Sequence, residues 1–263
     1  MQMNNRILIF DIKSKFASFR KIDSNSSSMT YRFPPKTTII GIIAAIMGMD
    51  KDSYYDVFGK SKIAVRIINP NRTLFQAVNN VKILNRRDLE DLNFFQNPQK
   101  EEPTIVPTEL LIPIDFKESL SYRIYFSDED YLLEQIFKRL NNNLTEFPIS
   151  LGFANMLAHA NIISMGVFNK IETNDKNFEI VTPISVEFID HIEITNCNGT
   201  KSPKILKDLI PYYVEEGRHF KTRIYVFEES GLPINVKVKP FNEVFSVSYE
   251  VNGRSISENI CLL

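Results

Sequence analysis

The chain has no tryptophan, two cysteines, three histidines and no excess of either charge: 31 Lys+Arg stand against 32 Asp+Glu over 263 residues, net −1. Cys197 and Cys261 are too few for a disulfide-stapled secreted scaffold or a four-thiolate zinc site. His159, His191 and His219 are far apart, and neither HExxH nor CxxC occurs, so no metal or other cofactor is expected. The balanced charge excludes a uniformly basic coat but not a local basic patch. The most apolar run, residues 39–49, is 11 residues long, about half of what a bilayer demands. The N-terminus lacks a long apolar stretch and a small-residue cleavage site, so the expected location is the cytoplasm, without membrane contact. No GxxxxGK[ST], GxGxxG or nucleophile elbow is present.

With 43% apolar and 24% charged residues, the composition is that of a globular protein with core enough to fold unaided. Residues 6–12 read as a buried strand. Residues 21–30 are polar, with four serines, and predict a long, mobile loop. Pro34-Pro35 stops any earlier helix, and Thr37 is a candidate N-cap for an apolar, buried helix over 38–47. Its Gly41, Ala44, Ala45 and Gly48 suit close packing against a sheet. A short helix is expected over 52–58, and strands over 63–68, 74–84, 104–114 and 122–126. Residues 85–102 are polar and without period, an excursion from the core. Ser127 with Asp130 spells a capping box for a helix whose core stripe is Leu133, Ile136, Phe137 and Leu140. Residues 162–171 read as a strand, whereas 153–160 fit a helical turn less well.

The resulting order, strand–helix–strand–strand–helix–strand with an insertion, is the ferredoxin-like βαββαβ pattern. Beyond residue 177 only β-type runs and turn signals follow, Asn252-Gly253 being the strongest hairpin signal. The fold class is therefore α+β: a ferredoxin-like domain over residues 1–174, interrupted at about 85–103, and a mostly antiparallel β-sheet region over 175–263.

Two constellations could carry chemistry. Residues 1–40 hold seven basic side chains (Arg6, Lys13, Lys15, Arg20, Lys21, Arg32, Lys36) against Asp11 and Asp23, a local +5. Phe16, Phe19, Tyr31 and Phe33 are interleaved with them, as single-stranded nucleic acid requires: cations for phosphates, rings for bases. The helix start after Pro-Pro offers free backbone N–H groups to a phosphate. The blander reading is a solvated charged loop whose rings are core residues. The second constellation is Tyr212, Tyr213, Arg218, His219 and Lys221 on a hairpin about Gly217. A tyrosine, His219 and Lys221 together could serve metal-free acid–base cleavage of RNA, a base activating the 2′-OH and an acid protonating the leaving 5′-oxygen. Ordinary exposed strand residues, or phosphate binding without chemistry, are the alternatives.

The string Phe16-Ala17-Ser18-Phe19-Arg20, then Thr30-Tyr31-Arg32-Phe33-Pro34-Pro35-Lys36-Thr37, then Gly41 to Gly48, resembles the Cas Five family. These are CRISPR-associated RAMP-type proteins of type I Cascade complexes, and the sequence is most similar to the type I-B branch. Leu151-Gly152 sits where the family often has a Leu-Gly pair. Lys13-Ser14-Lys15 stands where many members have a glycine-containing turn. The resemblance implies an RRM-like βαββαβ domain with a β-rich extension. It also implies a non-catalytic subunit that grips the 5′ handle of the CRISPR RNA (crRNA) and caps the Cascade backbone in antiviral defence. The backbone subunit and the large subunit are its implied partners, with target DNA engaged indirectly.

On this reading Lys13, Lys15, Arg20, Arg32, Lys36 and Arg218 contact phosphates, while Phe19 or Tyr31 stacks a base. The excursion, with Arg86 and Arg87, is the candidate for the family's thumb-like insertion. One branch, type I-C, is itself the repeat endoribonuclease, so a metal-independent nuclease using Tyr212, Tyr213, His219 and Lys221 is the alternative. The adjacent Lys-His pair of that branch is absent. A small-molecule enzyme on the same scaffold ranks last.

Overall fold

The computed structural model describes residues 5–80, 104–173, 176–193, 203–215, 217, 219–240 and 242–263. The fold is mixed α+β and mostly strand. Strand β1 (Arg6–Ser14) is apolar at both parities, so it can be buried on both faces. A two-residue ribbon, β2 (Phe19–Arg20) with β3 (Thr30–Tyr31), leads into helix α1 (Lys36–Met47). After α2 (Tyr55–Phe58) come β4 (Lys62–Ile67) and the hairpin of β5 (Asn71–Asn80) with β6 (Thr104–Pro113). Then follow β7 (Leu120–Ser127), α3 (Asp130–Asn141) and β8 (Ala158–Ile171).

The second half adds β9 (Asn177–Ile180), β10 (Ile184–Ser185) and β11 (Ile189–Glu193). The hairpin of β12 (Ile205–Glu215) and β13 (His219–Glu228) comes next. The chain closes with β14 (Ile234–Val238), β15 (Val244–Val251) and β16 (Arg254–Ile260).

One sheet runs β11-β14-β9-β16-β15-β8-β1-β7-β4. Within it β8, β1, β7 and β4 are neighbours, each pair antiparallel. Leu8, Phe10 and Ile12 of β1 point to the helices, where Ile43 of α1 and Leu133 and Ile136 of α3 join them in the main core. The hairpin β12–β13 packs over α1, adding Ile210, Tyr225 and Phe227 to that core. Phe33 meets Phe227 edge-on at 5.0 Å.

The opposite face of the sheet is closed by its own curl. The Leu263 amide, just after β16, donates to the Ile63 carbonyl of β4 at 2.8 Å. The enclosed space is filled by Ile7, Ile9, Tyr125, Phe168, Phe245 and Tyr249. A polar chain crosses it: Arg123 donates to both Asp11 oxygens (2.8 and 3.1 Å) and to the Tyr249 hydroxyl (2.9 Å). Tyr249 donates to Glu258 at 3.1 Å, and Tyr125 and Arg66 reach the same carboxylate.

Local details differ from the sequence expectation. Helix α1 starts at Lys36, not Thr38, and its N-cap is Pro35, not Thr37: the fixed φ of proline at the helix start lets the turn begin at once. Ser127 does not cap α3. It ends β7 opposite Lys62, and Glu129 is the N-cap, with no side-chain bond. Asp130 instead accepts from Arg6 at 3.0 Å. The 21–30 stretch is not a loose loop. Ser28 brackets β6 through its amide to Pro107 and its carbonyl to the Glu109 amide, both 2.8 Å, and the Glu109 carboxylate takes the Thr30 amide at 2.9 Å. Of 153–160 only the start is a turn, the Met156 amide donating to the Phe153 carbonyl at 2.9 Å, and strand β8 begins at Ala158. Gly41 faces Tyr54 rather than a sheet: a Cβ there would lie 3.4 Å from the Tyr54 hydroxyl.

Candidate nucleic-acid interface

A cleft of about 790 Å³ opens where the N-terminus of α1, the β2 strand, the loop before β8 and the β12–β13 hairpin converge. Three local facts build it. Pro35 leaves α1 without a side-chain cap or an acid in its first turn, so no carboxylate of that turn offsets the positive end of the helix dipole. Gly152, at φ +121°, lets its loop lie against Ser18: a Cβ would fall 2.1 Å from the Ser18 carbonyl oxygen, and the Ser18 amide donates to Leu151 at 2.8 Å. That clamp presents Ser18, Phe19 and Arg20 along one wall. The third is Tyr54 and Tyr55, whose rings pack 4.7 Å apart.

Arg20 and Lys51 are the exposed cations of the lining. The Arg20 guanidinium donates to the Ser24 carbonyl at 3.1 Å, which holds it in place while leaving its charge uncompensated by that neutral group. Thr37 and Thr38 belong to the lining as well. Phe153 and Phe220 line the cleft too, yet are 43% and 41% exposed.

The other residues singled out in the sequence distribute differently. Phe19 and Tyr31 also belong to the cleft lining, but as core residues only 3% and 1% exposed. Phe19 packs edge-on against Tyr122 at 5.8 Å, and burial pushes the Tyr31 hydroxyl up to about 12. Arg32 donates to Glu229 at 2.7 Å and to Asn71 at 3.4 Å. Lys36 is buried; desolvation lowers its pKa, and the nearby Asp128 charge partly opposes this. Lys15 donates to the carbonyls of Phe116, Lys117 and Glu118 (3.4, 3.4 and 2.7 Å) in the turn before β7. Lys13 is exposed beside His159 across the β1–β8 ladder. Much of the local +5 is thus engaged within the fold, and of the seven cations only Arg20 lines the cleft. Arg86, Arg87 and Arg218 lie outside the described residues, as does the excursion. Its two ends, Asn80 and Thr104, are cross-strand partners at the tip of the β5–β6 hairpin, whose Leu74, Phe75 and Ile105 are exposed.

Tyr212, Tyr213, His219 and Lys221 do share a hairpin, with Tyr213 opposite Lys221 and Glu215 opposite His219. Lys221 is held by Glu215 at 2.5 Å, a bond that raises its pKa. Tyr212 lies under the Arg223 guanidinium, 4.6 Å from its ring centre. Among the described residues no group of His, Cys, Asp and Glu is placed to hold a metal, and no helix is long and apolar enough to cross a membrane.

Sequence reasoning missed Phe153, Phe220 and Lys51. Phe220 is adjacent to the His219–Lys221 cluster, and only the packing of that hairpin over α1 brings it to the cleft.

The family model described as "CRISPR-associated protein (Cas_Cas5)" matches residues 7–143, just over half of the chain. The chain belongs to this family of CRISPR-associated proteins. Among solved structures it is similar to "Crystal structure of a CRISPR protein from Archaeoglobus fulgidus", at 13% identity and TM-score 0.49, covering 96% of this chain and 99% of that one. It is also similar to "Crystal structure of Cas protein" (13%, TM-score 0.44, 86% and 95%) and to "CRISPR RNA-guided surveillance complex" (12%, TM-score 0.46, 86% and 91%). No curated protein matches the sequence.

Proposed function

We propose that this protein is a non-catalytic RNA-binding subunit of a CRISPR effector complex of the type I, I-B-like kind, where it holds the 5′ handle of the crRNA and caps the Cascade backbone. The observation that carries this reading is the cleft at the uncapped start of α1, with Arg20 and Lys51 on its rim and aromatic rings beside them. Cations next to exposed π-faces are what an unpaired strand needs. The alternative surface, the sheet face opposite the helices, is filled by the curl of β15 and β16.

The partners are the crRNA, the backbone subunit and the large subunit, with target DNA met indirectly, in the cytoplasm. The order β8-β1-β7-β4 supports a ferredoxin-like (RRM-like) core within residues 1–174, with 175–263 as its β-rich extension. The β5–β6 hairpin supports a thumb formed by the excursion that it carries.

The test is a gel-shift of labelled single-stranded repeat RNA, in EDTA, across a salt series. With Arg20, Lys51, Arg86, Arg87 and Arg218 on phosphates, log affinity against log salt falls with a slope of about −3.5. A shift that salt does not weaken, or no shift at low salt, overturns the proposal.

A further inference from the structure

Phe220 and Phe153 are large apolar rings left partly open to water. Further along β13, Tyr225 and Phe227 are buried in the main core, and a burial of that kind is worth about 1.5–3 kcal/mol per side chain. Phe220, of the opposite parity on the same strand and so not directed with them, leaves two-fifths of its surface in water and lines the cleft. Phe153 does the same from the loop that Gly152 pins to Ser18. Two half-open rings thus line the cavity that also contains the positive end of α1 and Arg20. Its volume of about 790 Å³ lies within the range of small-ligand sites, and an RNA duplex, whose bases are already paired and stacked, has no free base face to offer it.

We infer that the cleft takes one unstacked nucleotide of the bound strand, its base packed on Phe220 and Phe153 and its phosphate at the Arg20–α1 end. The inference rests on the RNA-binding reading above and adds its unit of recognition: a single extruded base, held by rings that the sequence did not mark. Selectivity follows from the geometry of stacking rather than from charge. The site distinguishes unpaired from paired RNA, and tolerates any base with a π-face.

The experiment uses the full chain, a single-stranded repeat RNA, and a set of the same RNA carrying one abasic ribose per molecule. Phe220→Ala and Phe153→Ala weaken binding by about tenfold to a hundredfold with the salt slope unchanged, because no phosphate contact is lost. Phe220→Tyr keeps the affinity. One abasic position reproduces the loss, and at that position Phe220→Ala costs nothing further, since the two changes remove the same contact. Thermal unfolding of Phe220→Ala stays close to wild type, which separates the result from misfolding. Wild-type affinity in both alanine variants, or a loss spread evenly over all abasic positions, overturns the stacking site while leaving RNA binding intact. Failure of the wild-type protein to bind the unmodified RNA overturns the RNA-binding reading and this inference with it.

Discussion

The Arg32 guanidinium donates to the Glu229 carboxylate at 2.7 Å, joining the segment that enters α1 to the turn that leaves β13. Lys21 does the same with Asp208 of β12 at 2.6 Å. Two cations that look, in sequence, like phosphate ligands are therefore ties between residues about 190 positions apart. They hold the β12–β13 hairpin over α1, and so hold the cleft wall that carries Phe220. Arg20, the residue before Lys21, donates to the neutral Ser24 backbone carbonyl.

These two arginines should behave oppositely. Arg20→Ala is expected to lower RNA affinity and reduce the salt slope by about one, with little change in urea midpoint. Arg32→Ala is expected to cost about 1–3 kcal/mol of stability, the value of hydrogen bonds to a charged partner, and to leave the salt slope alone. Paired salt titrations and urea melts check both; a slope change in Arg32→Ala but not in Arg20→Ala would reverse the assignment.

Phe19 lies inside the core against Tyr122. Phe19→Ala should destabilise the fold by about 3–5 kcal/mol, the cost of a core aromatic. Calorimetry decides this: an unchanged melting temperature would mean that the ring is not part of the core.

Gly152 combines φ +121° with a Cβ position 2.1 Å from the Ser18 carbonyl oxygen. Gly152→Ala must displace the loop from Ser18 and break the Ser18–Leu151 bond. Strain of this kind is on the order of 3 kcal/mol. Because the loop bears Phe153 and presses on the strand that bears Arg20, RNA affinity should fall along with stability. A variant as stable as wild type would show that the approach is looser than described.

Burial raises the tyrosine hydroxyls of Tyr31 and Tyr225 to about 12, while in the unfolded chain they ionise near pH 10. Above that pH the unfolded state releases protons that the folded state retains, so stability falls as pH rises from about 10 to 12. Below pH 10 both states hold these protons and the contribution is complete and flat. Urea melts from pH 8 to 11.5 test this; a stability that stays level throughout would contradict the burial of these hydroxyls.

The hairpin brings together the membership of a metal-free nuclease, Tyr212, Tyr213, His219 and Lys221. Its Lys221 is paired with Glu215, which favours the charged amine. Repeat RNA incubated with wild type or with His219→Ala in EDTA is expected to be recovered uncut. Cleavage at one site that vanishes in His219→Ala would establish catalysis here.

The periodicity of residues 6–12 and 63–68 and the stripe Leu133, Ile136 and Leu140 placed the strands and helices of the first half to within a few residues, because alternation and helical spacing are local properties. The motif spanning Phe16 to Gly48 carried the family. The caps were misread for a local reason: Thr37 and Ser127 have capping side chains, but Pro35 already sets the helix start, and Ser127 is hydrogen-bonded into β7 opposite Lys62.

The sequence by itself determined the order of the main strands and helices of the first half and which residue types gather before α1. The tertiary structure alone decided which of those residues remain available. Charge and aromaticity are read from a list of side chains, whereas exposure depends on what folds against them from more than a hundred residues away. Glu229 and Asp208 neutralise Arg32 and Lys21, the core takes Phe19 and Tyr31, and the hairpin brings Phe220 to the cleft that Arg20 also lines. No period or spacing encodes those meetings, because they follow from packing apolar faces between segments that the chain brings together only when it folds.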